Sequence, residues 1–381
     1  MNVPLAWRLL SHDKRRTALA IVGIFLAIAL VFLELGLFFA VPRGGLLFYN
    51  HLRFDLMLTS NQYQYQVASG VFPMSRLARV AQMPQVAEVM PIYFAGAKWQ
   101  DGEGGTWPDL FVIGCATAAS PFAVPNINRR LALLRQPDTI LVDAMSRPIF
   151  GPLRAGRVVR INGRAETIGG TYRLGTGFMG LGVALMSEDN FARLFPQRGL
   201  GLVNLGAIVL KPGVAADRAA RALQKVLPDD VQVFTRRELD AHEVAYWTTR
   251  SAVGVIFGSG LVIAIVVAIM IGYQTLATQI GRHLPQFATM KAIGYADRSL
   301  SATVAAMAAM IMALGFVPAF LAALWLYAVI RRVTLLPAAM SGTRVAAVLI
   351  ASLVIAAISA ALAMSGLRRA APADVFDGRP T

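Results

Sequence analysis

Cysteine, histidine and acidic side chains are all scarce in this chain. A single cysteine, Cys115, stands among 381 residues, which excludes an internal disulfide and leaves no cysteine set for structural zinc. The four histidines, His12, His51, His242 and His283, lie far apart and show no metal-ligand spacing. Charged residues make up only 15% of the chain, against roughly 25% in an ordinary soluble domain. No GxxxxGK[ST] loop is present. The glycine-rich piece Gly169–Gly182 lacks the Lys-Ser/Thr that would reach a phosphate, so it reads as a turn-rich hairpin or loop open to a partner. No serine sits in a nucleophile elbow. The expectation is a chain without catalytic residues, cofactors or metal.

What is present is apolar sequence, 56% of the chain, gathered into four long runs. Residues 17–41, 251–273, 300–330 and 345–367 each exceed the roughly 20 residues that cross a bilayer as a helix. The first run is too long for the apolar part of a signal peptide. The net charge of +15 comes from basic residues beside these runs. No aromatic-basic platform accompanies them, so they fit membrane flanks and not a nucleic-acid surface. Residues 1–16 carry Trp7 and the cluster Lys14-Arg15-Arg16, the pattern of an amphipathic leader lying on the membrane. Lysine and arginine in the leader, in the 274–299 segment and in the 368–381 tail place all three on the cytoplasmic side. Both termini are then inside and residues 42–247 outside. Arg331, Arg332 and Arg344, in the short outer loop 331–344, run against that rule.

Within the spans, Glu34 is expected to face protein or water, because a carboxylate in lipid costs on the order of 2–3 kcal/mol. Two readings stand equally: a polar lining or dimer contact, and a partly hydrated residue near the outer end. Gly254 and Gly258 have close-packing spacing. Gly315 and Pro318 mark a kink in the third span. Tyr246 and Trp247 read as an aromatic belt at the outer edge of the second.

The outer segment 42–247 has no run long enough to span. Strands are expected at 54–60, 86–93, 110–115, 203–210 and 231–234, with helices at 75–82, capped by Ser75, and at 214–227. That order fits a ferredoxin-like βαββαβ unit. A β-rich insertion at about 116–201 carries strand candidates at 139–143, 158–161 and 182–186. The fold class expected is therefore an α-helical membrane protein of four transmembrane helices with a large α+β outer domain.

Between the second and third spans lies a basic hinge containing Pro285 and the sequence Phe287-Ala-Thr-Met-Lys-Ala-Ile-Gly-Tyr-Ala-Asp-Arg-Ser-Leu300. It resembles the xTLKAxGYxxxxL cytoplasmic loop of FtsX-like, MacB-type ABC exporter permeases. The leader LAWRLLSHDKRR is similar to that of the DevC-type branch. The resemblance implies a bacterial inner-membrane, multi-pass homodimer whose 274–299 loop docks on a separate cytoplasmic ABC ATPase. Phe287, Met290, Lys291, Ile293, Gly294 and Tyr295 would form the coupling surface, with Gly294 as a left-handed helix stop. It further implies mechanotransmission of ATP-driven motion to the periplasmic domain. Lipid-like or other periplasmic substrate would pass to an adaptor (a membrane fusion protein) and an outer-membrane duct. The alternative within the family is a non-transporting regulator that activates a periplasmic hydrolase.

Overall fold

The computed structural model describes residues 7–8, 10–11, 14–101, 105, 107–283, 286, 289–290, 293–294, 296–334 and 340–369. The chain divides into two units, Val41–Ser251 and the rest.

The second of these units is a bundle of four apolar helices, each long enough to cross a membrane. They are α1 (Lys14–Gly45), α8 (Ala252–Arg282), α9 (Asp297–Thr334) and α10 (Gly342–Arg369). Buried Ile28, Phe32, Ala264, Val304, Ala319 and Val348 form its core, while Ile256, Ile263, Trp325 and Ile350 are exposed. An apolar exterior is what lipid tails require, since they solvate such side chains as well as a core does. α1 runs on past Pro42, where the sequence pointed to an end at residue 41. Proline removes one backbone donor there, yet its carbonyl accepts from Leu46 N at 3.0 Å and the helix continues.

Small residues set the helix spacing. Gly36 carries no side chain where the Tyr327 ring lies, and the Tyr327 hydroxyl donates to Phe32 O. At Gly315 a Cβ would sit 2.8 Å from Ile24 Cγ2. This glycine therefore serves close approach of α9 to α1, and α9 is unbroken across Pro318. Gly272 meets Ser359, whose hydroxyl donates to Ile269 O at 3.1 Å and joins α10 to α8.

Val41–Ser251 is built on one nine-stranded sheet, ordered β11-β1-β10-β3-β4-β8-β5-β7-β6. The strands are β1 (Leu56–Ser60), β3 (Val86–Lys98), β4 (Asp109–Cys115), β5 (Thr139–Asp143), β6 (Val158–Ile161), β7 (Arg164–Tyr172), β8 (Gly182–Ser187), β10 (Leu205–Leu210) and β11 (Val231–Thr235). Short β2 (Phe72–Pro73) pairs with β9 (Leu202–Val203). Helices α3 (Met74–Ala81), α5 (Glu188–Leu194) and α6 (Ala216–Val226) bury Leu77, Val80, Phe191 and Leu223 on one face of the sheet. On the other face α2 (Leu47–His51), α4 (Pro125–Leu131) and α7 (Arg236–Ala245) bury Phe48, Tyr49, Ile127, Leu131 and Leu239.

The ferredoxin-like unit is present, with one strand reassigned. It consists of β1, α3, β3, β10, α6 and β11, all antiparallel. The expected third strand, β4, pairs with the far side of β3 and in parallel with β8. The insertion therefore extends the same sheet. The β3–β4 hairpin is what carries the sheet outward. Three local expectations also shift. α3 begins at Met74 with Pro73 as its N-cap, so Ser75 is inside the helix. The 203–210 strand divides into β9 and β10. β7 runs through Gly169-Gly170, which the glycines had disguised as a turn.

Candidate functional site

Three places are candidates for function: the polar point inside the bundle, the hinge between α8 and α9, and the two ends of the outer domain.

Glu34 is the one carboxylate within the apolar length of the four helices. It lies against the bare backbone of α8: a Cβ on Gly260 would be 2.6 Å from Glu34 Oε2. That oxygen is buried and has no hydrogen-bond partner among the described residues. The bundle thus holds a half-buried carboxyl against its own second helix, at a desolvation cost that a partner would offset.

At the hinge, Phe287, Lys291 and Tyr295 lie outside the described residues. Met290 is half-buried and packs against the bundle core. Ile293 is 73% exposed. Gly294 has φ +100°, a conformation that disfavours a side chain and ends a helical turn. The structure separates Met290 and Ile293, which the sequence had placed on one docking face. His283 Nδ1 lies 2.9 Å from Gln286 Oε1.

The ends of the outer domain hold a buried polar network that sequence reasoning missed. Glu243 on α7 is fully buried. It accepts from the Tyr63 hydroxyl and, at 3.0 Å, from Trp247 Nε1. Tyr63 in turn meets the Tyr49 hydroxyl at 2.5 Å. Burial pushes the Glu243 carboxyl up to about 7, aided by Asp240, while the bonds from Tyr63, Trp247 and the Gln66 backbone pull it down. Burial likewise raises both tyrosines well above their ordinary range. Trp247 is enclosed and not set out as a lipid-facing belt. Its ring stacks on Phe178 at 4.0 Å and occupies the space left by Gly45. It belongs to a π-helical turn, Tyr246–Arg250, directly before α8. Such turns concentrate at functional places.

The glycine-rich piece closes the same region from the side. Gly175 and Gly177 have positive φ, and a Cβ on either would strike Leu47 Cδ2 or Gly44 O at 2.6 Å. Asp143 fixes this loop by accepting from Leu174 N and Gly175 N at 3.2 and 2.7 Å. The loop read as open to a partner is an internal buttress. Tyr49, Tyr63, Glu243 and Trp247 therefore join the chain entering the domain to the chain leaving it. Glu243 is one of three acids in α7 and nothing local marks it out; its partner Tyr63 lies 180 residues away in sequence.

Comparisons with known proteins bear on both units. Residues 17–226, more than half of the chain, match the family model described as the MacB-like periplasmic core domain. Residues 258–372 match the model of the FtsX-like permease C-terminal region. None of the curated proteins matches the chain significantly. Among solved structures, the periplasmic region of MacB from Actinobacillus actinomycetemcomitans is 11% identical with a TM-score of 0.35, covering 49% of this chain and 91% of its own. The extracellular domain of the noncanonic ABC-type transporter YknZ from Gram-positive bacteria is 13% identical with a TM-score of 0.32, covering 48% and 99%. A domain of a putative permease protein from Porphyromonas gingivalis is 16% identical with a TM-score of 0.31, covering 48% and 88%.

Proposed function

The chain belongs to the family of FtsX-like permeases with a MacB-like periplasmic core domain, and from that membership we propose that it is the exporter subunit that converts ATP-driven motion below the membrane into motion of its outer domain. It is an ABC-type permease component of the membrane. In this reading two copies pair in the bacterial inner membrane with both termini in the cytoplasm. A separate ATPase pushes the 274–299 hinge, with Ile293 as the exposed apolar contact. α8, a continuous helix of 31 residues, acts as the lever. Lipid-like or other substrate then moves from the periplasm or outer leaflet into an adaptor and an outer-membrane duct.

The observation that carries the reading is the order of the chain: one span, a MacB-like domain held at both ends, then three spans joined by a basic hinge. A direct test is reconstitution with a candidate ATPase. The expected outcome is negligible hydrolysis by the purified chain alone, and co-purification and stimulated hydrolysis with its partner. Robust hydrolysis by the lone chain would overturn it. Stimulated hydrolysis without export, but with activation of a periplasmic hydrolase, would assign the regulator role instead.

A further inference from the structure

Glu243 ties three separate segments of the outer domain together. Its Oε1 accepts from the Tyr63 hydroxyl and its Oε2 from Trp247 Nε1 at 3.0 Å. The Gln66 backbone N–H is a third donor. All three donors are neutral, so an ionised carboxylate here is hydrogen-bonded but has no counter-charge. The titratable groups around it supply none. Asp240, one turn back on α7, is itself an acid. His242 places Nε2 3.1 Å from Gln64 O, with its ring tilted on Tyr63 at 5.5 Å. Arg236 donates to Tyr49 O and Leu52 O, and Tyr65 stacks on Tyr246 at 4.4 Å. A protonated Glu243 suits the enclosure better. The neutral acid must itself donate, and the oxygen in reach of Oε1 is that of Tyr63. The Tyr63 proton then turns to the Tyr49 hydroxyl, and no charge is left in a site closed to water. Oε2 still accepts from the indole of Trp247, whose ring fills the space beside Gly45 and stacks on Phe178 at 4.0 Å.

We propose that Glu243 and Trp247 form a pH-dependent latch between the two ends of the outer domain, closed while the carboxyl is protonated and loosened when it ionises. Ionisation leaves a charge among neutral donors, and the largest gain open to it is contact with water. The cover that can yield is the π-helical turn Tyr246–Arg250, where Thr249 and Arg250 are already exposed. Withdrawal of Trp247 with that turn would hydrate the carboxylate and empty the space beside Gly45. The chain entering the domain would then part from the chain leaving it. Burial holds the carboxyl of the closed form at about 7, against an ordinary 4.5. The open form binds fewer protons, so opening should grow about tenfold per pH unit between those values and level off above the higher one. The latch depends neither on ATPase coupling nor on orientation in the membrane, so either can fail without it.

Hydrogen exchange of the full chain in detergent, read by mass spectrometry across acid to mildly alkaline pH and corrected for the intrinsic rate at each pH, tests the latch. Segments 61–68 and 241–250 should open about tenfold more per pH unit and then level off near neutrality. Glu243→Gln should stay closed and flat over the whole range. Glu166→Gln, which alters a buried carboxyl on β7 instead, should behave as the natural chain does. Two further variants have opposite signs and keep the outcome decisive even where Glu243→Gln folds poorly. Tyr63→Phe removes a donor that favours the charged form, so the levelling-off should move to higher pH. Asp240→Asn removes a neighbouring negative charge, so it should move to lower pH. Exchange in the two segments that does not change with pH overturns the proposal. So does pH-dependent opening that persists in Glu243→Gln, and so do shifts of the same sign in Tyr63→Phe and Asp240→Asn. Opening spread evenly over the whole domain would be general unfolding, which also overturns it.

Discussion

Glu243 and Glu166 are carboxyls that the fold keeps from water, and both rise to about 7. Burial is the main cause in each; at Glu166 Asp138 adds to it, and Arg164 and Arg193 oppose it. Glu166 has no hydrogen-bond partner for either oxygen among the described residues. A folded-state value above the ordinary 4.5 means the native domain holds protons that the unfolded chain has released. The stability from these groups is whole below that ordinary value and is lost as the pH climbs through 7. For one such carboxyl the loss is about 3 kcal/mol. Thermal melts from pH 4.5 to 8 should show a falling melting temperature for the outer domain, and Glu243→Gln/Glu166→Gln should flatten that slope. An unchanged slope would place the titration elsewhere. The lone Cys115 is buried, and its thiol is pushed up to about 12 by burial and then by Glu188, so it should resist alkylation in the folded protein.

Gly36 is the residue on which the approach of α1 to α9 turns. A methyl there meets the Tyr327 ring, which its own bond to Phe32 O holds in place. Gly36→Ala should lower stability in detergent by about 1–3 kcal/mol, the usual cost of overpacking. Gly281→Ala, where a Cβ would meet nothing within 4 Å among the described residues, is the control and should not lower the melting temperature.

At the scale of elements, the hinge between α8 and α9 divides an apolar pattern that the sequence had presented as one face. Met290 packs inward and Ile293 points out. Met290→Asp places a charge against the bundle and should lower the melting temperature, because an unpaired charge there costs several kcal/mol. Ile293→Asp should melt normally and lose ATPase association and stimulated hydrolysis. If Ile293→Asp couples normally, the exposed isoleucine is not the contact. The sheet gives a similar lesson. β7 was hidden because Gly169 is a bulge: Ile140 pairs with Ile168 but Leu141 with Gly170, and the glycine lets Thr139 approach to 2.8 Å of where a Cβ would be. Nothing local distinguishes such a glycine from one in a turn.

For the whole molecule, the orientation expected from the basic flanks is testable against the exposed positions now known. Ser120 is exposed in the outer domain and Gln286 is exposed in the hinge. A cysteine at Ser120 should react with a membrane-impermeant maleimide in spheroplasts, and one at Gln286 only after lysis. The reverse pattern would invert the topology. Cys115 is buried and should give no background.

The sequence by itself determined the class of protein and the order of its parts. Long uncharged runs report crossing of a bilayer residue by residue, with no need of distant contacts. The short strands of the outer segment were legible for the same reason, since alternation and β-branched runs are local signals. Tertiary structure decided the rest. Which strand follows β3 in the ferredoxin-like unit depends on pairing across the insertion, and β4 and β10 look alike as isolated apolar runs. Glu243 became a buried, protonatable centre only because Tyr63, 180 residues earlier, closes over it. Met290 and Ile293 parted because the bundle covers one and leaves the other. Periodicity records what a segment can bury; the partners that fold against it decide what it does bury.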